Sequence, residues 1–154
     1  MKKTSIYADT SVIGGCCDPE FQMWSNGLLD DFKSGKYLLF LSELTDAEIE
    51  DAPRAVREIY KIFRNCSEDI LLLNSEVVEL AAVYLRRGVL TEKYRDDARH
   101  IAIATIAAVD LVVSWNFKHI VHFDKIQKFN AVNLEMGYKP IMIYSPREVT
   151  THGS

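Results

Sequence analysis

A chain of 154 residues, 48% of them hydrophobic, is long enough to bury a core without disulfide or metal staples and short enough to form one domain. Its apolar runs fall short of the ~20 residues of a membrane span, and the polar Asp9-Thr10-Ser11 comes too early for a signal peptide, so a cytoplasmic protein is expected. A formal charge of −4 argues against nucleic-acid binding through bulk charge alone.

Residues 4–8 read as a short buried strand. Phe21, Trp24, Leu28, Leu29 and Phe32 recur at helical spacing and predict a helix over 20–34, with Gly35 as its stop. Tyr37 to Leu41 is a second strand, followed by a short helix. There Thr45-Asp46-Ala47-Glu48 has the T-x-x-E form of a capping box. Pro53 suits the first turn of the next helix, which carries Val56, Ile59, Tyr60 and Phe63. Ile70 to Leu73 is a third strand. Asn74 or Ser75 caps a helix through Val77, Ala81, Tyr84 and Leu85 that stops at Gly88. Residues 95–108 form a strongly apolar helix, and Leu111 to Ser114 and Ile141 to Tyr144 are the fourth and fifth strands. Strands alternating with helices predict an α/β fold on a largely parallel sheet. The domain is expected over residues 1–150, with 151–154 as a tail.

Several residue groups carry a bland reading. Cys16, Cys17 and Cys66 are odd in number and lack a C-x-x-C spacing, so they read as ordinary thiols. Arg54, Arg57, Lys61 and Arg64 form one basic group, and Lys118, His119, His122, Lys125 and Lys128 another; each suits the solvated face of a helix. His100 and His122 read as surface or packing residues. Gly14-Gly15 lacks the lysine and spacing of a phosphate loop, no G-x-S-x-G elbow occurs, and Asp9-Thr10-Ser11 lacks the second acid of an aspartyl-phosphate hydrolase.

Four polar residues stand where apolar segments end. Asp9 follows Ile6-Tyr7-Ala8, Glu48 follows the second strand, Asp97 opens the apolar helix, and Asn116 follows the fourth strand. Ligands of open parallel sheets collect outside the carboxyl ends of the strands. If these segments are neighbours there, three carboxylates and one amide meet, and a hard divalent cation would relieve their repulsion. Each residue also has a structural alternative. Asp9 suits an Asx turn, Asp96 and Asp97 both complement a helix dipole, Asn116 suits a turn, and Glu43 competes with Glu48. An acid at the mouth of a buried helix is nevertheless expensive unless paired or coordinated.

Taken in order, these segments resemble PIN domains. Tyr7-Ala8-Asp9-Thr10-Ser11-Val12-Ile13 is similar to that family's opening strand, and Leu41 to Ile49 to its second motif, in which the acid follows alanine. Asp97-Ala98-Arg99-His100-Ile101-Ala102-Ile103-Ala104 is similar to the third motif, and Asp110 to Phe117 to the fourth, with Asn116 where many members carry Asp. The resemblance covers residues 5 to about 145 and favours Glu48 over Glu43 and Asp97 over Asp96. The chain's size resembles that of VapC-like toxins of toxin–antitoxin pairs. The resemblance implies a three-layer α/β/α sandwich with a roughly five-stranded sheet, and a ribonuclease dependent on Mg²⁺ or Mn²⁺. It also implies frequent homodimers and an antitoxin partner. Asp9, Glu48, Asp97 and Asn116 are then the expected catalytic and metal-binding set. Thr10, Ser11, Ser114, Lys118 and His119 are expected to assist with substrate. Asn116 and the acidic pI of about 5.6 motivate an alternative, a catalytically weakened RNA- or protein-binding module of the same fold. A metal-dependent phosphatase of small esters is a more distant rival.

Overall fold

The computed structural model describes residues 2–153. Five strands form one sheet: β1 (Ser5–Ala8), β2 (Leu38–Ser42), β3 (Ser67–Leu71), β4 (Leu111–Val113) and β5 (Met142–Tyr144). The order is β3-β2-β1-β4-β5, and every pairing is parallel. The chain therefore builds outward from β1 in one direction, then returns to build outward in the other. The point of reversal lies between β1 and β4, where Tyr7 stands opposite Val112 and Ala8 opposite Val113.

Parallel strands need crossovers, and helices fill them. One face carries α1 (Thr10–Gly15), α2 (Gln22–Lys33) and α4 (Arg54–Cys66), packed on Ile6, Ala8, Leu39, Leu41 and Val113. The other carries α5 (Ser75–Arg86), α6 (Arg95–Ala107) and α7 (Phe123–Glu135), packed on Tyr7, Val112 and Ile143. Successive strand residues feed opposite cores because side chains alternate across a sheet. The result is the three-layer α/β/α sandwich expected from the resemblance. No described helix is long and apolar enough to cross a membrane.

Several local expectations shift. The short helix α3 (Glu43–Ile49) begins two residues before Thr45, so the T-x-x-E box does not form. Ser42 is the cap instead, its hydroxyl accepting from Thr45 N at 3.3 Å, which leaves the Glu48 side chain free for other partners. Pro53 is the N-cap of α4 rather than part of its first turn. Strand β3 starts at Ser67, three residues before the expected Ile70, because an edge strand accepts polar residues such as Ser67 and Asp69 that hide it from an apolar-run search. Of the two candidate caps for α5, Asn74 takes the role and accepts from Val77 N at 3.1 Å. The second basic group is only partly helical: Lys125 and Lys128 lie on α7, while Lys118, His119 and His122 precede it.

The C-terminal residues pack on α2. Asp31, almost fully buried, accepts from Thr150 Oγ1 at 2.8 Å and Thr151 N at 3.0 Å. Gly27 leaves room beneath them: a Cβ there would stand 2.9 Å from Thr150 Oγ1 and from His152 Cβ.

Candidate functional site

Strand order reverses between β1 and β4, and in open parallel sheets the crevice outside the carboxyl ends of the strands at such a reversal is the usual ligand position. Asp9 leaves β1 directly into this crevice as the N-cap residue of α1. Its carboxylate caps nothing. Oδ1 accepts from Ser11 Oγ at 2.6 Å, and Oδ2 from Ser114 Oγ at 2.6 Å. Ser114 follows β4, so the two hydroxyls fasten Asp9 across the strand gap. Ser11 also accepts from Trp115 N at 2.8 Å. These hydroxyls orient a carboxylate, where the sequence suggested that they would meet water or phosphate.

Glu48, at the end of α3, reaches the same crevice. Its Oε1 accepts from Thr10 Oγ1 at 2.7 Å and pairs with His100 Nε2 at 2.6 Å. Glu43 points elsewhere and accepts from Leu73 N at 2.8 Å, tying α3 to the segment after β3. Asp97 lies in the first turn of α6 and accepts from Asn116 Nδ2 at 3.1 Å through Oδ2. Asn116 turns its carbonyl oxygen the other way, to His119 N at 2.9 Å. The amide therefore bridges Asp97 to the loop after β4 and directs N–H, not oxygen, at the acids. Lys118 is exposed, and His119 is half-buried against Tyr94.

His100 is the participant that the sequence reading missed. It is 2% exposed and sits between Tyr7 Oη, 2.6 Å from Nδ1, and Glu48. Tyr7 Oη continues to Ser42 Oγ at 2.7 Å. A hydrogen-bonded chain thus runs from the cap of α3 through the central strand to the Glu48 carboxylate. The available signal was position: His100 comes one turn after Asp97, on the same face of α6.

The electrostatics follow from this arrangement. Burial pushes the Asp9 carboxyl above its ordinary range, against His100 and the two serine hydroxyls, with Glu48 adding to the rise. Asp97 is pushed up to about 6, first by burial and also by Asp9 and Glu48, against the pull of His100 and Asn116. For Glu48, burial acts upward but loses to the His100 hydrogen bond and charge and to Thr10, which hold it below the ordinary value. Burial acts downward on His100 and is outweighed by Tyr7, Glu48 and Asp9, which raise it well above 6.5. The His100 imidazolium thus stands among three acids, two of which burial disfavours in their charged form.

Among the described residues, no three His, Cys, Asp or Glu side chains stand close enough to hold one ion as they are placed. The donor chemistry nevertheless fits a hard cation. The donors are carboxylate oxygens, which suit Mg²⁺ or Mn²⁺. The hydrogen bonds of Glu48 and Asp97 use Oε1 and Oδ2, leaving one oxygen of each carboxylate outside them. Burial is the main cause that raises the two acids and repulsion between the carboxylates adds to it; a cation would offset both.

No protein-family profile matches the chain, and no curated protein matches it significantly. Among solved structures it is similar to a chain of VapBC2 from Rickettsia felis, crystallised bound to a DNA fragment from their promoter. The TM-score is 0.56 at 12% sequence identity, and the match covers 92% of this chain and 98% of the other. At that identity the likeness is one of fold, spanning nearly the whole length of both chains.

Proposed function

We propose that this protein is a metal-dependent endoribonuclease and the toxin of a toxin–antitoxin pair. The reading is carried by Asp9, Glu48 and Asp97 lying round the switch point of the sheet, near enough to raise one another's carboxyls although not gathered as one ion's ligands. Asp9, Glu48 and Asp97 would hold Mg²⁺ or Mn²⁺, and the bound ion would supply a more acidic water and charge stabilisation at the phosphate. Ser11 and Ser114 fix the Asp9 carboxylate, Thr10 and His100 fix Glu48, and Asn116 fixes Asp97. Lys118, exposed two residues after Asn116, would meet a phosphate of the RNA backbone. The fold likeness to a VapBC2 chain supports the same reading and supports an antitoxin as the protein partner. A homodimer and a cytoplasmic location belong to the proposal as well.

The test is a calorimetric titration with Mn²⁺ beside a cleavage assay on RNA and on small phosphate esters. Mn²⁺ binding with RNA cleavage is expected. Ester hydrolysis without RNA cleavage would move the assignment to a phosphatase, and absence of both metal binding and cleavage would overturn it. A second reading, the catalytically weakened binding module, is favoured by Asn116, whose carbonyl oxygen is already taken by His119 N. RNA or protein binding without Mn²⁺ uptake is its signature.

Two substitutions sharpen the assignment. Glu48→Gln should remove most cleavage with little loss of stability, because Thr10 and His100 can still bond the amide oxygen. Glu43→Gln should leave cleavage near wild type, since Glu43 serves Leu73 N. Equal losses in the two variants would place the wrong glutamate in the site. Asn116→Asp should tighten Mn²⁺ binding, because affinity of oxygen sites rises with ligand charge. In chelator the same change should cost about 2 kcal/mol, the worth of a hydrogen bond to a charged group, since the Asn116 Nδ2 bond to Asp97 becomes a repulsion. Melting curves with and without Mn²⁺ should therefore move in opposite directions, and curves unmoved in both would make Asn116 a plain turn residue.

A further inference from the structure

The segments carrying Asp97 and Asn116 also carry rings that this chemistry leaves unused. Tyr94, just ahead of α6, lies tilted against His119 with ring centroids 3.7 Å apart and planes 32° apart, and Lys93 lies over Tyr94 at 5.7 Å. Phe117, next to Asn116, is 49% exposed and meets Trp115 edge-on at 6.1 Å. Behind it, Trp115 stacks on Phe21 at 4.2 Å and touches Trp24 at 6.1 Å. Phe117 is thus the outermost ring of a wall braced from within by three others.

The charge beside these rings opposes that of the whole chain. Lys93 lies over the Tyr94 ring, and Lys118 stands between Phe117 and His119 in the chain. Lys125 is committed to the Val89 carbonyl at 2.9 Å. Lys93 and Lys118 are exposed. An exposed ring flanked by cations, here Phe117 beside Lys118, is the combination that holds single strands, with a base on the ring and phosphates on the cations.

We propose that Phe117, with the Tyr94–His119 pair and Lys118, forms a nucleobase-stacking subsite that seats an unpaired RNA nucleotide next to the scissile one. The inference rests on the nuclease reading for its substrate, but it concerns binding alone. A base inside a duplex has both faces covered by its neighbours and cannot lie on Phe117, so the subsite selects unpaired RNA. Stacking tolerates any base identity, so selection is by strandedness more than by sequence.

The chain's two tryptophans, Trp24 and Trp115, both stand behind Phe117, so intrinsic fluorescence reads occupancy directly. The experiment titrates the full chain, in chelator, with a short unstructured RNA, an abasic strand of the same length, and a duplex. Unstructured RNA should perturb the fluorescence. Its affinity should fall about tenfold in Phe117→Ala, the loss of one base–ring stack, and return in Phe117→Tyr. Abasic and duplex strands should bind wild type more weakly and ignore Phe117→Ala. Unchanged affinity of Phe117→Ala for unstructured RNA overturns the proposal, as does equal affinity of wild type for the abasic strand or the duplex. A separate Mn²⁺ cleavage assay keeps the two readings apart. Cleavage by wild type with Phe117-independent binding sinks the subsite alone. Phe117-dependent binding without cleavage sinks the nuclease alone.

Discussion

Asp97→Asn should abolish metal-dependent RNA cleavage and, in chelator at neutral pH, raise the melting temperature. The two effects have one cause. In the folded chain burial, with Asp9 and Glu48 adding to it, lifts the Asp97 carboxyl to about 6, against an ordinary 3.8. An acid whose folded pKa is raised costs nothing below about pH 4, where it is protonated in both states. The cost grows between pH 4 and 6 and is complete above. Allowing for its partial exposure, the full cost is of order 1–2 kcal/mol, a few degrees for a domain of this size. The helix dipole works the other way, by about 0.5 kcal/mol for an acid in the first turn, and Asp96 retains that contribution. An asparagine keeps an oxygen for the Asn116 amide and sheds the charge. The metal-free melting temperature of Asp97→Asn should therefore lie above wild type at pH 8 and coincide with it near pH 4. Retained Mn²⁺-dependent cleavage would take Asp97 out of the site.

The fold was legible because its strands and helices speak in different periods. Ile6-Tyr7-Ala8 and Leu111-Val112-Val113 are apolar on consecutive residues because cores lie on both sides of them, and that pattern belongs to a central parallel strand. Strand β3 was misplaced because an edge strand has no such obligation. Helix α7 was hidden for a related reason: Phe123, Leu134 and Met136 are exposed, which blurs the apolar stripe by which a helix is found. At the crevice, Asp9, Asp97 and Asn116 could be placed from the segments they terminate. Glu48 could not be separated from Glu43 by composition, since both lie on α3; only their directions differ, one toward His100 and one toward Leu73 N. Where each hydroxyl would point was equally invisible, because Ser114 meets Asp9 only after β4 has docked beside β1.

His100→Leu should be the most destabilising single change in the crevice, and the size of its effect should depend on pH. Leucine nearly matches imidazole in volume, so cavity terms are small, and the loss falls on Tyr7, Glu48 and Asp9. Breaking a buried pair by removing one partner costs about 3–5 kcal/mol. Glu48 keeps 32% of its side chain exposed, so the low end applies, about 3 kcal/mol or roughly 6–12 °C. The folded pKa of His100 is raised well above 6.5. A base raised in this way contributes stability that is fully present below pH 6.5 and declines as pH climbs through the folded value. In chelator, wild type should thus lose stability above pH 6.5 and His100→Leu should not, so the gap between them is widest near pH 6 and narrows toward pH 9. It should not close. Neutral imidazole still accepts the Tyr7 hydroxyl at Nδ1 and donates Nε2–H to Glu48, with Tyr7 Oη accepting in turn from Ser42 Oγ. Deprotonation reverses the direction of that hydrogen-bonded chain without breaking a link. A gap equal at pH 6 and pH 9 would reduce His100 to a packing residue, and the acids of the crevice would then lack the internal cation that holds them together before metal arrives.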